Sequence, residues 1–185
     1  MGSSSNCLVN EIIGQVIKIN PERVLDVGFG TGKWGFLIRE KFELRECKKK
    51  EQFKMIIDCI DIDGRWVNPI HRYIYNDIII HDIRTYDTLD YDLIIVCDIL
   101  EHLTKEEGME LVDKLLMCCN YLIISCPFGS ISTISQKSES ILNEFPNERH
   151  KSEWVHTDFI NYNVVECKIS NPNFMVVLNG SNDNR

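Results

Sequence analysis

The segment Val24-Leu-Asp-Val-Gly-Phe-Gly-Thr-Gly-Lys-Trp-Gly35 decides the fold of this chain. Its first four residues are apolar apart from one aspartate, which predicts a short buried strand. Gly28, Gly30 and Gly32 follow at alternate positions, and helical spacing of apolar residues begins after them. Because glycine has no Cβ, such a turn can bend sharply and let a ligand contact the backbone. The segment therefore predicts a ligand-binding loop between a strand and a helix.

Two other glycine-rich motifs do not fit this spacing. A dinucleotide fingerprint, G-x-G-x-x-G, needs a glycine where the sequence has Lys33. A P-loop needs a glycine where the sequence has Val27 and a hydroxyl residue where it has Trp34. A glycine-rich turn that binds nothing remains as the alternative.

The motif Leu25-Asp26-x-Gly28-x-Gly30-x-Gly32 resembles the first motif of the class I S-adenosylmethionine-dependent methyltransferases. Two later stretches extend the resemblance, which covers about Val24 to Phe159: Tyr91-Asp-Leu-Ile-Ile-Val-Cys-Asp-Ile-Leu-Glu-His-Leu103 and His150-Lys-Ser-Glu-Trp154. The resemblance implies S-adenosylmethionine as the cofactor and S-adenosylhomocysteine as its product. We therefore expect an enzyme that transfers a methyl group to an oxygen or nitrogen acceptor, whose identity the sequence does not reveal.

Nearly continuous runs of Ile, Val, Leu and Cys predict strands buried on both faces of a parallel sheet. The expected strands are Arg23–Val27, Met55–Asp61, Ile78–Ile80, Tyr91–Cys97, Tyr121–Ser125, Val164–Lys168 and Phe174–Leu178. Helices are expected at Leu8–Ile19, Thr31–Phe42, Thr104–Met117 and, as a short one, Trp154–Tyr162. This alternation predicts an α/β, doubly wound, Rossmann-like fold with a mostly parallel seven-stranded sheet and helices on both faces. As in methyltransferases, the last two strands should form an antiparallel C-terminal hairpin.

Charge, apolar runs and cysteine spacing disfavour nucleic acid binding, a membrane span and secretion. The formal net charge of −8 disfavours unspecific nucleic acid binding, which needs a positive surface. No apolar run approaches the roughly 20 residues that span a bilayer, and residues 1–5 do not resemble a secretory signal. The eight cysteines include no C-x-x-C pair, which favours reduced thiols in the cytoplasm. We expect one domain over residues 1–185, with an N-terminal helix in 1–20, a polar insert at 43–54 and an acceptor-site loop in 127–154.

Ligands of a doubly wound sheet bind beyond the carboxyl ends of its strands. Asp61 ends the second strand, where a carboxylate can accept hydrogen bonds from both ribose hydroxyls. Asp63 is the competing choice. The resemblance implies that Asp82 accepts from the adenine amino group and that Ile83 packs on the ring. The full set of expected cofactor-binding residues is Asp26, Gly28, Phe29, Gly30, Gly32, Trp34, Asp61, Ile62, Asp82, Ile83, Cys97 and Asp98.

The expected catalytic residues are Asp98, Glu101, His102 and His150. In one interpretation, a histidine is the general base and the acids orient it. In the other, the four side chains bind a divalent ion that polarises an acceptor hydroxyl. The second arrangement resembles that of small-RNA 3′-terminal 2′-O-methyltransferases, although Asp98 stands where those enzymes carry glutamate. We expect a site without a metal and keep the metal-dependent RNA enzyme as the alternative.

Three further expectations complete the sequence-based prediction. A cofactor-binding partner or regulatory protein without catalysis would carry the same cofactor residues. His71, His81 and His156 have no partners suggested by spacing, so we expect them at the surface. Trp66 and Trp154 are candidates for an aromatic rim around a flat acceptor, and packing in the core is the alternative for both.

Overall fold

A computed structural model of the chain describes residues 5–87, 90–128 and 139–181. The strands in these residues are β1 (Arg23–Val27), β2 (Ile56–Asp61), β3 (Ile78–Ile80), β4 (Tyr91–Cys97), β5 (Cys119–Pro127), β6 (Val164–Ser170) and β7 (Asn173–Asn179). They form a seven-stranded sheet in the order β3-β2-β1-β4-β5-β7-β6. β1 to β5 pair in parallel, whereas β7 is antiparallel to both β5 and β6. The predicted sheet and its C-terminal hairpin are confirmed, although β5 is longer than expected.

The α-helices of the described residues are α1 (Val9–Ile19), α2 (Lys33–Phe42), α3 (Pro69–Ile74), α4 (Lys105–Leu116) and α5 (Glu139–Glu144). The helix expected to begin at Thr104 is confirmed, and Thr104 caps it: its hydroxyl accepts from the Glu107 amide, and the Glu107 carboxylate accepts from the Thr104 amide. The helix expected over Trp154–Tyr162 is only a 3-10 turn, His156–Phe159. No helix of the described residues has both the length and the apolar character needed to cross a bilayer.

Each face of the sheet carries its own hydrophobic core. Leu25, Val27 and Ile94 pack with Leu111 and Leu115 of α4. The alternate residues of the same strands belong to the other core, in which they pack with α1 and α2; this second set includes Val24, Leu93, Ile95, Ile12 and Ile38. Successive residues of a strand point to opposite faces, so both cores need apolar residues at every position. The helices therefore cover both faces, as the sequence predicts.

The polar insert at 43–54 contributes to the fold away from the carboxyl ends of the strands. It forms two 3-10 turns, Leu44–Glu46 and Lys50–Gln52. The buried Glu43 carboxylate accepts from the Lys54 and Met55 amides at the start of β2. The Lys50 ammonium donates to the carbonyls of Arg72 and Tyr75 at the end of α3. The insert thus ties α2, β2 and α3 together at the amino ends of the strands.

Candidate functional site

A cavity of about 390 Å³ opens beyond the carboxyl ends of β1 to β4. β1 pairs with β2 on one side and β4 on the other, so the strand order reverses beside it, which is where doubly wound folds bind ligands. The lining includes Gly28, Gly30, Asp61, Ile62, Asp82, Ile83, Cys97, Asp98, Glu101, His102 and His150. These expected site residues, which come from four separate strand ends and a later loop, are brought together.

The glycine loop after β1 needs glycine for two physical reasons. Gly28 has φ +74°, a left-handed conformation that is strained for residues with a Cβ. A Cβ on Gly28 would also lie 2.0 Å from the Cδ1 atom of Ile99. The Gly28 amide donates to the Ile60 carbonyl at 2.8 Å, which ties the loop to β2. The loop is thereby held open along the cavity.

His71 supports this loop from behind, and the expectation that it lies at the surface is wrong. It is 0% exposed. Its Nδ1 accepts from the Asn68 amide at 3.2 Å, so Nε2 carries the proton and donates to the Gly30 carbonyl at 3.0 Å. The sequence signal was Asn68-Pro69-x-His71, a capping arrangement at the start of α3 that makes the imidazole part of a helix end.

The acids that follow β2 differ in their partners. Asp61 accepts from the Asp63 amide at 3.0 Å, and burial raises the pKa of its carboxyl. Asp63 is held instead by the Arg65 guanidinium, whose hydrogen bonds lower the pKa of that carboxyl. Asp61 therefore keeps accepting capacity for a ligand, whereas Asp63 is engaged by its neighbour.

Asp82 after β3 is also engaged by an arginine. Arg84 donates to both of its carboxylate oxygens, at 3.1 Å from Nε and 2.6 Å from one terminal nitrogen, and these bonds lower the carboxyl pKa. Arg84 also pairs with Glu107 on α4 at 2.5 Å. The arginine keeps Asp82 ionised at the cavity edge, beside the buried Ile83.

Four of the expected cofactor residues lie behind the cavity lining. Phe29 and Trp34 are 3% and 4% exposed and pack in the core under α1 and α2. Gly32 faces the His71 ring. Asp26 is 1% exposed and accepts a 2.5 Å hydrogen bond from the Tyr75 hydroxyl, and burial raises its pKa to about 6. None of these four residues lines the cavity.

Glu101, His102 and His150 form a compact group beside β4. One ligand atom from each lies within 4.8 Å of the others, and the two imidazole centroids are 5.0 Å apart. Glu101 is 2% exposed, and its Oε2 atom has no hydrogen-bond partner among the described residues. Burial, and next the charge of Asp98, raise the pKa of the Glu101 carboxyl well above its ordinary value. The group offers two imidazoles and a carboxylate to a proton or a cation.

The stretch His150 to Trp154 reaches this group because its backbone docks on the turn after β4. The amides of Lys151 and Ser152 donate to the Glu101 carbonyl at 2.7 and 3.3 Å. The Ser152 hydroxyl donates to the Leu100 carbonyl and accepts from the Trp154 indole. Trp154 is 1% exposed, so of its two expected roles it has the packing one. It anchors the segment that carries His150.

Asp98 stands apart from the histidines. It follows β4 with φ +56°, and its amide donates to the Ser125 carbonyl. Its carboxylate accepts from the Asn173 side chain at 2.9 Å and from the Ser5 amide at 3.1 Å. The group of potential metal ligands in the described residues contains the other three candidates, so the fourth expected ligand lies outside it.

Two aromatic rings, Trp66 and Phe145, form part of the cavity lining. Trp66, after β2, lies 5.3 Å from the Phe145 ring, and the Arg65 guanidinium lies 4.6 Å above the same ring. All three residues line the cavity. Within the expected acceptor-site loop, residues 129–138 fall outside the described residues, whereas residues 145–148, 150 and 151 line the cavity. Trp66 therefore lies in the cavity lining, with Phe145 as its aromatic neighbour.

No protein-family model matches this sequence, and no curated protein matches it. Solved structures do share its fold. They include the N-terminal domain of EvdMO1 in the presence of SAH (S-adenosylhomocysteine) and D-fucose, at 14% identity over 97% of this chain and 85% of that one, TM-score 0.63. Magnesium protoporphyrin IX methyltransferase from Synechocystis PCC 6803 with bound SAH is 15% identical over 94% and 82%, TM-score 0.63.

A third similar structure is the 1,6-didemethyltoxoflavin-N1-methyltransferase of Burkholderia thailandensis, bound to 1,6-didemethyltoxoflavin and S-adenosylhomocysteine. It is 9% identical over 96% of this chain and 79% of that one, with a TM-score of 0.68. Together these likenesses establish that the chain has the class I methyltransferase fold.

Proposed function

We propose that this protein is an S-adenosylmethionine-dependent methyltransferase acting on an oxygen or nitrogen acceptor. The observation that carries the proposal is the cavity at the reversal of strand order, lined by the glycine loop and by Asp61 with its accepting capacity. The three similar structures described above all contain S-adenosylhomocysteine or were solved in its presence. In this proposal, Asp61 accepts from the ribose hydroxyls, and Ile83 packs on the adenine ring beside Asp82, whose carboxylate is engaged by Arg84.

The reaction requires little covalent chemistry from the protein. The methyl group of a sulfonium is already activated for in-line displacement, so the enzyme must hold the acceptor aligned with it and remove a proton where the acceptor is a hydroxyl. His102 and His150 line the same cavity as Asp98, and their ring centroids lie 5.0 Å apart, so either imidazole could take that proton. We assign the role of general base to this pair, with Glu101 beside it as the orienting acid.

Calorimetry with S-adenosylmethionine and S-adenosylhomocysteine tests cofactor binding directly. Asp61→Ala should weaken binding by about 1–3 kcal/mol, because ribose hydroxyls and the Asp63 amide lose their acceptor. Asp63→Ala is the matched control two residues away, and its carboxylate is already engaged by Arg65. Equal losses in both variants, or no binding to the parent protein at millimolar concentration, would refute the assignment.

A metal-dependent reaction is the second candidate, and a specific observation favours it. Two imidazoles and the buried Glu101 carboxylate lie within 4.8 Å of one another, a donor set that suits Mn²⁺, Fe²⁺ or Zn²⁺. The unpartnered Oε2 atom of Glu101 fits a cation. A bound divalent ion would supply Lewis-acid activation of an acceptor hydroxyl. The chain's own residues would hold the ion and present the hydroxyl to the methyl donor.

Manganese titration separates the two candidates. Glu101→Gln should lower Mn²⁺ affinity by about 100-fold or more if the ion binds, since an amide replaces the charged ligand. Glu106→Gln is the control, an exposed glutamate of α4. Equal Mn²⁺ binding by both variants would leave the metal-free base as the mechanism. The RNA form of the hypothesis requires methylation of RNA 3′ ends that depends on Mn²⁺ or Mg²⁺ and is lost in His150→Ala.

A cofactor-binding protein without catalysis would share the cofactor residues. A screen of acceptors with a radiolabelled methyl donor distinguishes it from an enzyme. Turnover of one acceptor, lost in His102→Ala with S-adenosylhomocysteine binding unchanged, supports the enzyme.

A further inference from the structure

The main chain of Ser5 bridges two charged side chains at the edge of the cavity. Its amide donates to Asp98 Oδ2 at 3.1 Å, and its carbonyl accepts from the Lys33 ammonium at 2.8 Å. Ser5 and Asp98 line the cavity, whereas Lys33 lines a shallow neighbouring depression. The Ser5 main chain thus lies between the cavity and the lysine.

This pair of contacts has the geometry of amino-acid recognition. A donor nitrogen and an acceptor oxygen are joined through one Cα, and a carboxylate and an ammonium bind them from either side. The methionine end of S-adenosylmethionine has the same framework, with an α-ammonium in place of the amide and an α-carboxylate in place of the carbonyl. A ligand with these two charged groups would find both of its partners already in position.

Two further contacts hold the anchors in place. The buried Asn173 at the start of β7 donates to Asp98 Oδ1 at 2.9 Å and so orients the carboxylate. Lys33 is the first residue of α2, directly after the glycine loop, and its ammonium lies 4.7 Å from the Trp34 ring centroid. The Lys33 backbone belongs to α2, and the Asp98 amide is bonded to the Ser125 carbonyl, so each anchor is positioned by its own element.

We propose that Lys33 and Asp98 bind the α-carboxylate and α-ammonium of S-adenosylmethionine, in the place that the Ser5 main chain takes in this structure. The proposal rests on the function proposed above. It makes Lys33 a residue that discriminates the complete cofactor from its nucleoside part. It also makes the segment before α1 a competitor of the cofactor.

Charge decides which occupant binds more strongly. The Ser5 amide and carbonyl are neutral, so each of their bonds pairs one charge with one dipole. The amino-acid end of the cofactor presents a full charge to each anchor, and hydrogen bonds between two ions are stronger than those with a neutral partner. The displaced main chain regains hydrogen bonds to water. The exchange therefore favours the cofactor.

Binding of S-adenosylhomocysteine and of 5′-methylthioadenosine, which lacks the amino-acid end, tests the proposal by calorimetry. In Lys33→Met, the first ligand should bind roughly 10- to 100-fold more weakly, whereas the second should change by less than about twofold. Lys33→Arg should restore the affinity. Lys41→Met, an exposed lysine of the same helix, is the control and should leave both affinities unchanged. A parallel loss for both ligands, or no loss for either, would overturn the role of Lys33.

The competition has its own test in Ser5→Pro, which removes the amide donor. S-adenosylhomocysteine should then bind about two- to tenfold more tightly, with 5′-methylthioadenosine unchanged, because less of the protein has the subsite occupied. Ser5→Ala retains the amide and should bind like the parent. Weaker S-adenosylhomocysteine binding in Ser5→Pro would show that the segment is a wall of the site. Failure of the parent protein to bind either ligand would instead refute the proposed function.

Discussion

Glu43 and Glu101 are equally buried, each 2% exposed, yet their surroundings are opposite. Glu43 pairs with the Arg39 guanidinium at 2.7 Å and also accepts from two backbone amides. Glu101 lies beside another carboxylate and two imidazoles, and its Oε2 atom has no hydrogen-bond partner in the described residues. Burial alone therefore does not identify a functional acid. The partners of the carboxylate do.

Asp26 lies between these extremes. It is as buried as the two glutamates, but its partner is the neutral Tyr75 hydroxyl, and burial raises its pKa to about 6. The three acids thus form a series. Glu43 has a cation partner, and Asp26 has a hydroxyl partner on one oxygen and none on Oδ1 among the described residues. Glu101 lies beside two imidazoles, and its Oε2 atom has no partner there. The following predictions test whether this series is real.

The largest effect is expected at the paired acid. Arg39→Met removes the cation from Glu43 and also the donor to the carbonyls of Met55 and Ile74. Leaving a buried carboxylate uncompensated should lower the free energy of unfolding by about 3–5 kcal/mol, measured in urea by circular dichroism. Arg45→Met, an exposed arginine of the insert, should change it by less than about 0.5 kcal/mol. A small loss in Arg39→Met would mean that Glu43 needs no cation.

Asp26, the intermediate acid, should make the free energy of unfolding depend on pH. The folded state binds the Asp26 proton more tightly than the unfolded chain, where the carboxyl has its ordinary pKa of 3.8. The Asp26 proton therefore adds about 3 kcal/mol to the free energy of unfolding. This contribution is fully present below pH 3.8 and is lost as the pH rises through about 6.

Asp26→Asn should remove that part of the pH dependence, measured as the free energy of unfolding in urea between pH 4 and 7. The matched control is Asp113→Asn, since the exposed Asp113 carboxylate also accepts from a tyrosine hydroxyl, that of Tyr162. Unchanged pH dependence in Asp26→Asn would remove Asp26 from the series.

The smallest effect comes from the same substitution at the two glutamates. Glu43→Gln should cost about 2 kcal/mol of stability, because it replaces a charge-assisted hydrogen bond to Arg39 by a neutral one. Glu101→Gln should change stability by less than about 1 kcal/mol, because burial raises the pKa of the Glu101 carboxyl and so already disfavours the charge that the substitution removes. Equal losses at both positions would erase the contrast.

Much of the fold follows from local signals in the sequence. β1, β3 and β4 have the predicted bounds, because short apolar runs between turn residues are typical of buried strands. The capping box at Thr104 likewise depends on neighbours along the chain. The prediction of a helix over Trp154–Tyr162 was wrong. The Trp154 indole anchors a docked loop, and the spacing of apolar residues does not show that contact.

The candidate site divides in the same way. Placing Gly28, Asp61, Asp82 and Asp98 at one edge requires only that parallel strands end together. That rule does not say which of these carboxylates can still accept a hydrogen bond from a ligand. Arg65 and Arg84 take up Asp63 and Asp82 through side-chain contacts, which the strand pattern does not specify.

The sequence by itself determined the order of the strands and helices, the glycine loop and the strand ends that carry acids. These depend on periodicity and backbone conformation, which are properties of short segments. Only the tertiary structure decided that His71 supports the loop, that Ser152 docks on the turn after β4, and that Ser5 lies between Lys33 and Asp98. Each of these contacts joins segments distant in the chain, and packing, burial and paired charge select them only after the sheet has formed.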